Sequence, residues 1–329
     1  MALRVLFLGG TGIISSACAA LALERGIDLT VLNRGGSSAK RPLPPDVRTL
    51  TGDARDPVSL REAIGGEEFD VVVDFIAFTP EHVRADVELF TGRTGQYVFI
   101  SSASAYQKPV GHLPITESTP LRNPFWQYSR DKIACEDLLV RAYREDGFPA
   151  VLVRPSHTYD RTLLPVDDGW TTIDRMRRGV PVVVHGDGTS LWVLTHHTDF
   201  AKGFVPLLGE PAVTGDVVHI TGDEVLTWDR IHRTLAQAAG APEPTLVHVP
   251  SDVIAREAPD RGPGLLGDKA HSVVFDNTKL KRLVPSFAAT TSFAAGAREI
   301  IAHHDATPDL RVVDPVVDAR QDRLVERFG

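Results

Sequence analysis

The first 155 residues alternate short apolar runs with stretches of helical periodicity. Val5–Leu8, Leu29–Leu32, Val47–Leu50, Asp70–Val73, Tyr97–Ile100 and Ala150–Val153 read as strands. Val5–Leu8 is apolar without alternation, the pattern of a parallel strand covered on both faces. Between the strands, Ser16–Arg25, Val58–Ile64, Glu81–Phe90 and the long Tyr128–Glu145 read as helices, the first stopped by Gly26. Ser37–Asp46 reads as a Ser/Pro loop. Strands that alternate with helices predict right-handed crossovers and an α/β fold built on a doubly wound parallel sheet.

The pattern changes after Pro155. Thr171–Arg178, Thr198–Leu208, Trp228–Ala239 and Gly296–His303 read as helices, and Val182–Val184 and Val217–Ile220 as strands. Pro242–Pro250 and Arg256–Lys269 are rich in Gly and Pro and read as loops, while Val316–Phe328 reads as an amphipathic surface helix. Three regions follow: a core at 1–155, a mixed region at 156–306 that completes the core and shapes a substrate site, and a charged tail at 307–329.

Composition narrows the class. The net charge of −8 argues against bulk nucleic-acid binding. The two cysteines, Cys18 and Cys135, cannot build a disulfide framework, which points to a reducing compartment. Met1–Leu8 is too short for a secretory signal, and no apolar run reaches the ~20 residues that span a bilayer. A cytoplasmic enzyme without membrane attachment is expected. The histidine pairs His196-His197 and His303-His304 lack the helical i, i+4 spacing of a zinc site, so no metal is expected. Asp167-Asp168 and Glu67-Glu68 read as solvated surface charge.

Where the first strand turns into the first helix, the chain reads Gly9-Gly10-Thr11-Gly12-Ile13-Ile14-Ser15. Gly9 permits a tight turn, and Gly12 lets backbone approach a pyrophosphate at a helix N-terminus. The third position, usually glycine, is Ser15. This is the dinucleotide site of a Rossmann-type sheet, with Thr11, Ile13 and Ile14 along its rim. The second strand ends in Asn33-Arg34-Gly35 without an acid, so the guanidinium suits a 2′-phosphate and NADP is favoured over NAD. Asp53-Ala54 is expected at the adenine edge, and Ile76-Ala77 against the adenine ribose.

Tyr128 and Lys132 are four apart on the long helix and so share a face. The ammonium is expected to lie near the phenol and favour its ionised form. Tyr128 then acts as acid/base at a substrate hydroxyl. Ser102 closes the fifth strand, at the carboxyl edge where open parallel sheets bind ligands, and is expected to bond the reacting oxygen.

These residues together resemble the extended short-chain dehydrogenase/reductase superfamily, and within it the NAD-dependent epimerase/dehydratase family. The resemblance spans roughly residues 3–300 and rests on several motifs. They are the glycine turn at 9–15, Gly52-Asp53, Ser101-Ser102-Ala103-Ser104-Ala105-Tyr106, Tyr128 with Lys132, Arg154-Pro155, and Gly186-Asp187-Gly188 with Asp199. Leu32–Gly35 and Asp74–Pro80 look most like an atypical branch that includes chloroplast stem-loop-binding proteins. The resemblance implies Tyr128 as acid/base, Lys132 as its pKa depressor and a ribose ligand, Ser102 on the substrate oxygen, and Pro155 and Ser156 by the nicotinamide carboxamide. It also implies a possible homodimer.

Three departures from the family pattern cover four positions. Ala103 and Ser104 replace the Asp-Glu pair of sugar-nucleotide dehydratases, so elimination chemistry is not expected. His157 and Trp192 replace an Asn and an Arg that grip a diphosphate. With Ser104, they are expected to receive a hydroxyl-rich or ring-stacking small molecule, unless Arg161 or Arg175 takes over the phosphates. The expected activity is NAD(P)-dependent oxidation, reduction or epimerisation at a secondary alcohol or ketone of a sugar-like substrate. The rival is a non-catalytic dinucleotide- or RNA-binding protein of the same fold.

Overall fold

Strand β1 (Arg4–Leu8) buries every residue but its first and forms the spine of the computed structural model, which describes residues 2–35 and 40–329. Helix α1 (Ile13–Glu24), β2 (Asp28–Asn33), β3 (Arg48–Thr51), α2 (Pro57–Ile64), β4 (Phe69–Asp74), α3 (Pro80–Phe90) and β5 (Thr94–Ile100) follow. Then come α4 (Gln127–Asp146), β6 (Ala150–Pro155), β7 (His157–Tyr159), α5 (Trp170–Arg178), β8 (Val182–His185), β9 (Leu191–His196) and α6 (His197–Phe204). The remainder is β10 (Val217–Ile220), β11 (Val225–Thr227), α7 (Trp228–Ala238), β12 (Leu246–Val249), α8 (Ser251–Glu257) and the single turn α9 (Gly262–Gly264). That turn runs into a π-helical stretch, Leu265–Lys269, before α10 (Thr278–Leu283), α11 (Phe293–Ala306) and α12 (Pro315–Phe328). Residues 37–39 of the expected Ser/Pro loop lie outside the described residues.

Seven strands make one parallel sheet in the order β10-β6-β5-β4-β1-β2-β3. Chain direction across the sheet reverses between β1 and β4, so the crevice above their carboxyl ends is the expected ligand site. The central strands are mostly apolar because both their faces are covered, whereas the edge strand β3, Arg48–Thr51, is polar and largely exposed. Val5 and Phe7 face a core shared with α1 and α6, and Leu6 and Leu8 face one shared with α2, α3 and α4. Local sequence sets the helix ends: Asp56 caps α2 by accepting from Val58 and Ser59 N–H, and Gly147 closes α4 with φ 69°.

The rest of the chain builds a second layer around Trp170, Trp192 and Trp228. It holds two small sheets, β11-β9-β7 and β12-β8. Pro242–Pro250 therefore contains a strand rather than only a loop, and Arg256–Lys269 is largely helical. The expected helix from Thr198 to Leu208 ends at Phe204, where Pro206 lacks the N–H to continue it, and a 3-10 turn follows. Asp168 and Glu67 are ion-paired rather than solvated. Asp168 binds Arg261, Arg320 and Gln321, fixing α12 on the body, and Glu67 takes both guanidinium nitrogens of Arg48 at 2.6 Å.

One buried ion pair ties the parts together. Arg154, on β6, reaches Glu136, on α4, at 2.9 and 2.5 Å, with both side chains almost wholly buried. Ser101 donates its hydroxyl to the same carboxylate, and Arg154 also donates to the Glu117 carbonyl at 3.3 Å and lies over the Tyr106 ring. Removing the charge of one partner strands the other in a dry interior. Glu136→Gln is expected to cost about 3 kcal/mol or more in chemical denaturation. A loss below ~1 kcal/mol would show the pair to be dispensable.

Candidate active site

A cleft of about 670 Å³ opens above the carboxyl ends of the strands and runs from the glycine turn to the second layer. Beside the glycine turn it is lined by Gly9, Thr11, Gly12, Ile13, Ile14, Asn33, Arg34, Asp53, Ala54 and Ile76, and elsewhere by Ser102, Ser104, Tyr128, Lys132, Pro155, Ser156, His157 and Trp192. Of the expected site residues, Ala77 alone is not part of this wall. It is buried behind Ile76 and Phe78, and its carbonyl accepts from Lys132 Nζ at 2.6 Å.

The glycine turn is packed closely against the residues beside it. Gly9 has φ 84°, and a Cβ there would stand 2.5 Å from Ile76 Cγ2. A Cβ on Gly10 would stand 2.5 Å from Val31 Cγ1, so it is Gly10 that brings the turn against β2. Ser15 does more than stay small: its Oγ accepts the Gly12 N–H at 2.9 Å and caps α1. Asn33 Oδ1 accepts the Gly35 N–H at 2.8 Å, leaving exposed Arg34 without a protein partner among the described residues. Asp53 forms a turn, accepting from Arg55 N–H at 3.0 Å, while still facing the cleft. Further along, Arg41 holds Asp160 and Thr162, so the loop after β2 is fastened to the segment after β7.

Tyr128 and Lys132 meet in the cleft, but not as the spacing suggests. Lys132 is only 2 % exposed. Its Nζ donates to the Ala77 and Ile100 carbonyls at 2.6 and 2.8 Å and lies 5.9 Å from the centre of the Tyr128 ring. An ammonium has three donors, so one is left. Burial lowers the Lys132 pKa to about 8. Burial also raises the Tyr128 pKa, opposed by its contact with Ser102 and aided by the charge of Asp268. The expected pull of Lys132 toward an ionised phenol does not outweigh desolvation here, and two carbonyls hold the ammonium. Tyr128 rests as a neutral phenol.

Ser102 lines the cleft and also caps a short turn, accepting from the Ser104 N–H at 3.2 Å. The buried Ser104 hydroxyl is held by Ser102 and Ser129 at 2.9 and 2.8 Å, so its role is to brace Ser102. Trp192 is 1 % exposed and packs on Trp228 as a core residue with only an edge in the cleft. Its indole N–H donates to His157 Nδ1 at 3.1 Å. An indole N–H can only donate, so the His157 proton is on Nε2. Neither Arg161 nor Arg175 lines the cleft: Arg175 is buried in ion pairs with Asp318 and Asp322, and Arg161 borders a separate cavity.

Several wall residues were not singled out from sequence, among them three from one later stretch. Asp268 and Lys269 come from the π-helical stretch, and Phe275 follows it. The region reads as loop because its Gly and Pro content hides a turn whose place depends on tertiary packing.

A model of the NAD dependent epimerase/dehydratase family matches residues 5–220. The chain is 27% identical over 256 residues to the chloroplast stem-loop binding protein of 41 kDa b from Arabidopsis thaliana, covering 74% of this chain and 65% of that one. It is 28% identical over 290 residues to 2'-dehydrokanamycin reductase from Streptomyces kanamyceticus, covering 87% of this chain and 80% of that one. The chain thus spans less than two thirds of the length of the first of these relatives. Among solved structures, an epimerase from Methanothermobacter thermautotrophicus superposes with a TM-score of 0.76 at 16% identity, over 94% of each chain. That likeness concerns the fold.

His157 supplies a test of the site's electrostatics. Burial holds its pKa down to about 3, against an ordinary value of 6.5. The folded state refuses a proton that the unfolded chain accepts. His157 therefore contributes stability above pH 6.5 that drains away as the pH falls toward 3. His157→Gln keeps an acceptor for the indole and removes the titration. Its melting temperature is expected to fall less steeply than that of the parent protein across this window. Equal slopes would contradict a buried neutral imidazole.

Proposed function

Since this chain belongs to the NAD dependent epimerase/dehydratase family of enzymes, we propose that its cleft interconverts a secondary alcohol and a ketone on a small sugar-like molecule. The observation that carries this is the convergence of Ser102, Tyr128 and Lys132 on the same cleft as the Gly9–Gly12 turn. A bound nicotinamide supplies or accepts the hydride. The tight glycine turn at the N-terminus of α1 and Arg34, which has no partner among the described residues, suit the dinucleotide that carries it. Lys132, with one N–H left, would hold its ribose, and Pro155 and Ser156 would border its nicotinamide end.

The phenol of Tyr128 is protonated at neutral pH and so begins as the acid. In reduction the carbonyl oxygen takes the Tyr128 proton as its carbon takes the hydride. The Ser102 hydroxyl positions that oxygen, and the charge of Lys132 in a dry setting favours the phenolate left behind. In oxidation the same groups work in reverse. The reductase relative from Streptomyces kanamyceticus, matched over 80% of its length, supports net reduction as the outcome; epimerisation would need reduction on the opposite face without cofactor exchange.

Tyr128→Phe removes only the transferable proton. It is expected to lower kcat by about 10²-fold or more while leaving NADPH affinity within a factor of ~2, read by nicotinamide absorbance and fluorescence titration. Full turnover in this variant would sink the proposal and favour a non-catalytic dinucleotide-binding role.

We also infer a preference for NADP. The basis is the absence of an acid at Asn33-Arg34-Gly35 and a guanidinium with no partner among the described residues. Arg34→Ala should weaken NADPH binding by about tenfold and leave NADH nearly unchanged. Equal losses for both would assign Arg34 to the adenine ring instead.

A further inference from the structure

The side chain in the cleft that the chemistry above does not use is Asp268. Its carboxylate faces the same space as Tyr128 and accepts no hydrogen bond from any described residue. Its ionic neighbour is Lys108 Nζ at 3.7 Å, too far for a hydrogen bond. Lys108 is 0 % exposed, its Nζ has no hydrogen-bond partner, and it does not line the cleft. The pair is thus arranged in depth, with a buried ammonium behind and a carboxylate in front. A carboxylate with open acceptor sites in a half-dry cleft is costly unless a ligand fills them.

We propose that Asp268 is a specificity residue, whose carboxylate accepts hydroxyl protons of a free sugar or cyclitol ring and repels a substrate joined to a nucleotide diphosphate. This rests on the cleft being an alcohol/ketone site.

The remaining charges agree with that division. Two guanidinium groups, Arg34 and Arg55, line the cleft, both on the cofactor side. On the other side Lys269 is paired with Asp167 at 3.2 Å, and Lys132 is held by carbonyls. A diphosphate there would meet a carboxylate and no bidentate arginine. Lys108 behind Asp268 balances its charge, which favours neutral hydroxyl donors over a second cation. His157 complements it: Nδ1 is occupied by Trp192, so the Nε2–H is a fixed donor in the same half of the cleft. One acceptor and one donor, neither satisfied by the protein, match the paired character of ring hydroxyls.

The test is ligand-observed NMR on the full-length, NADP-loaded protein with glucose, galactose, myo-inositol, UDP and UDP-glucose, comparing the parent with Asp268→Asn and Asp268→Ala. At least one free sugar or cyclitol is expected to bind the parent, and to bind about tenfold more weakly to Asp268→Ala. UDP-glucose is expected to bind more tightly to Asp268→Asn than to the parent. The proposal is overturned if no free sugar or cyclitol binds, if their binding is unchanged in the variants, or if UDP-glucose binds the parent as well as it binds Asp268→Asn. Unchanged NADPH affinity and melting temperature show that the variants fold. Binding without any nicotinamide absorbance change would refute the oxidoreductase assignment and leave the role of Asp268 standing.

Discussion

The Glu136–Arg154 pair is the constraint from which the site follows. It joins the helix that carries Tyr128 and Lys132 to the strand that leads into Pro155 and Ser156. Through Ser101 it also fixes the backbone next to Ser102. Three separate stretches of chain are thereby held in one arrangement before any ligand arrives. Such a pair adds little net stability over a well-packed apolar core, because two charges must be stripped of water. Its value is in geometry: it permits only one way for helix, strand and loop to meet.

Dryness governs the reactive groups as firmly as geometry does. Lys132 is fixed by two main-chain carbonyls, one in the segment after β4 and one on the last residue of β5. The lysine is therefore as much a strut as a charge. Tyr128 keeps its proton because its surroundings disfavour a phenolate. The same low polarity that suppresses ionisation at rest strengthens the pull of the nearby ammonium once charge develops. His157 obeys the same rule, staying neutral because burial outweighs every neighbour.

The parallel sheet was legible because each of its central strands is an apolar run with both faces covered, and a run of that kind needs no partner to be recognised. The glycine turn, Ser102, Tyr128 and Lys132 were legible because their spacing is local. The strands β7, β9, β11 and β12 were not, and in three of them only three or four residues are present, too few to carry a period. Ala77 was misplaced because the bend after β4, held by its N–H on Asp74, buries it while Ile76 lines the cleft. Trp192, read as a ligand group, lines the cleft and is also part of the core, and that second role was not legible because it is held by Trp228, a residue distant in sequence. Asp268 and Lys108 were invisible for the same reason: a lone Asp and a lone Lys acquire meaning only when folding sets them 3.7 Å apart.

Gly10 shows how packing of this kind directs history. Its backbone is ordinary, so any residue could adopt its conformation, and the obstacle to a side chain is the Val31 methyl 2.5 Å from where a Cβ would go. Replacement at position 10 is closed while valine stands at 31 and opens once that residue shrinks. The two positions thus impose an order on substitution. A lineage that trims the strand first gains a route to a new turn, and one that alters the turn first passes through an unfit intermediate.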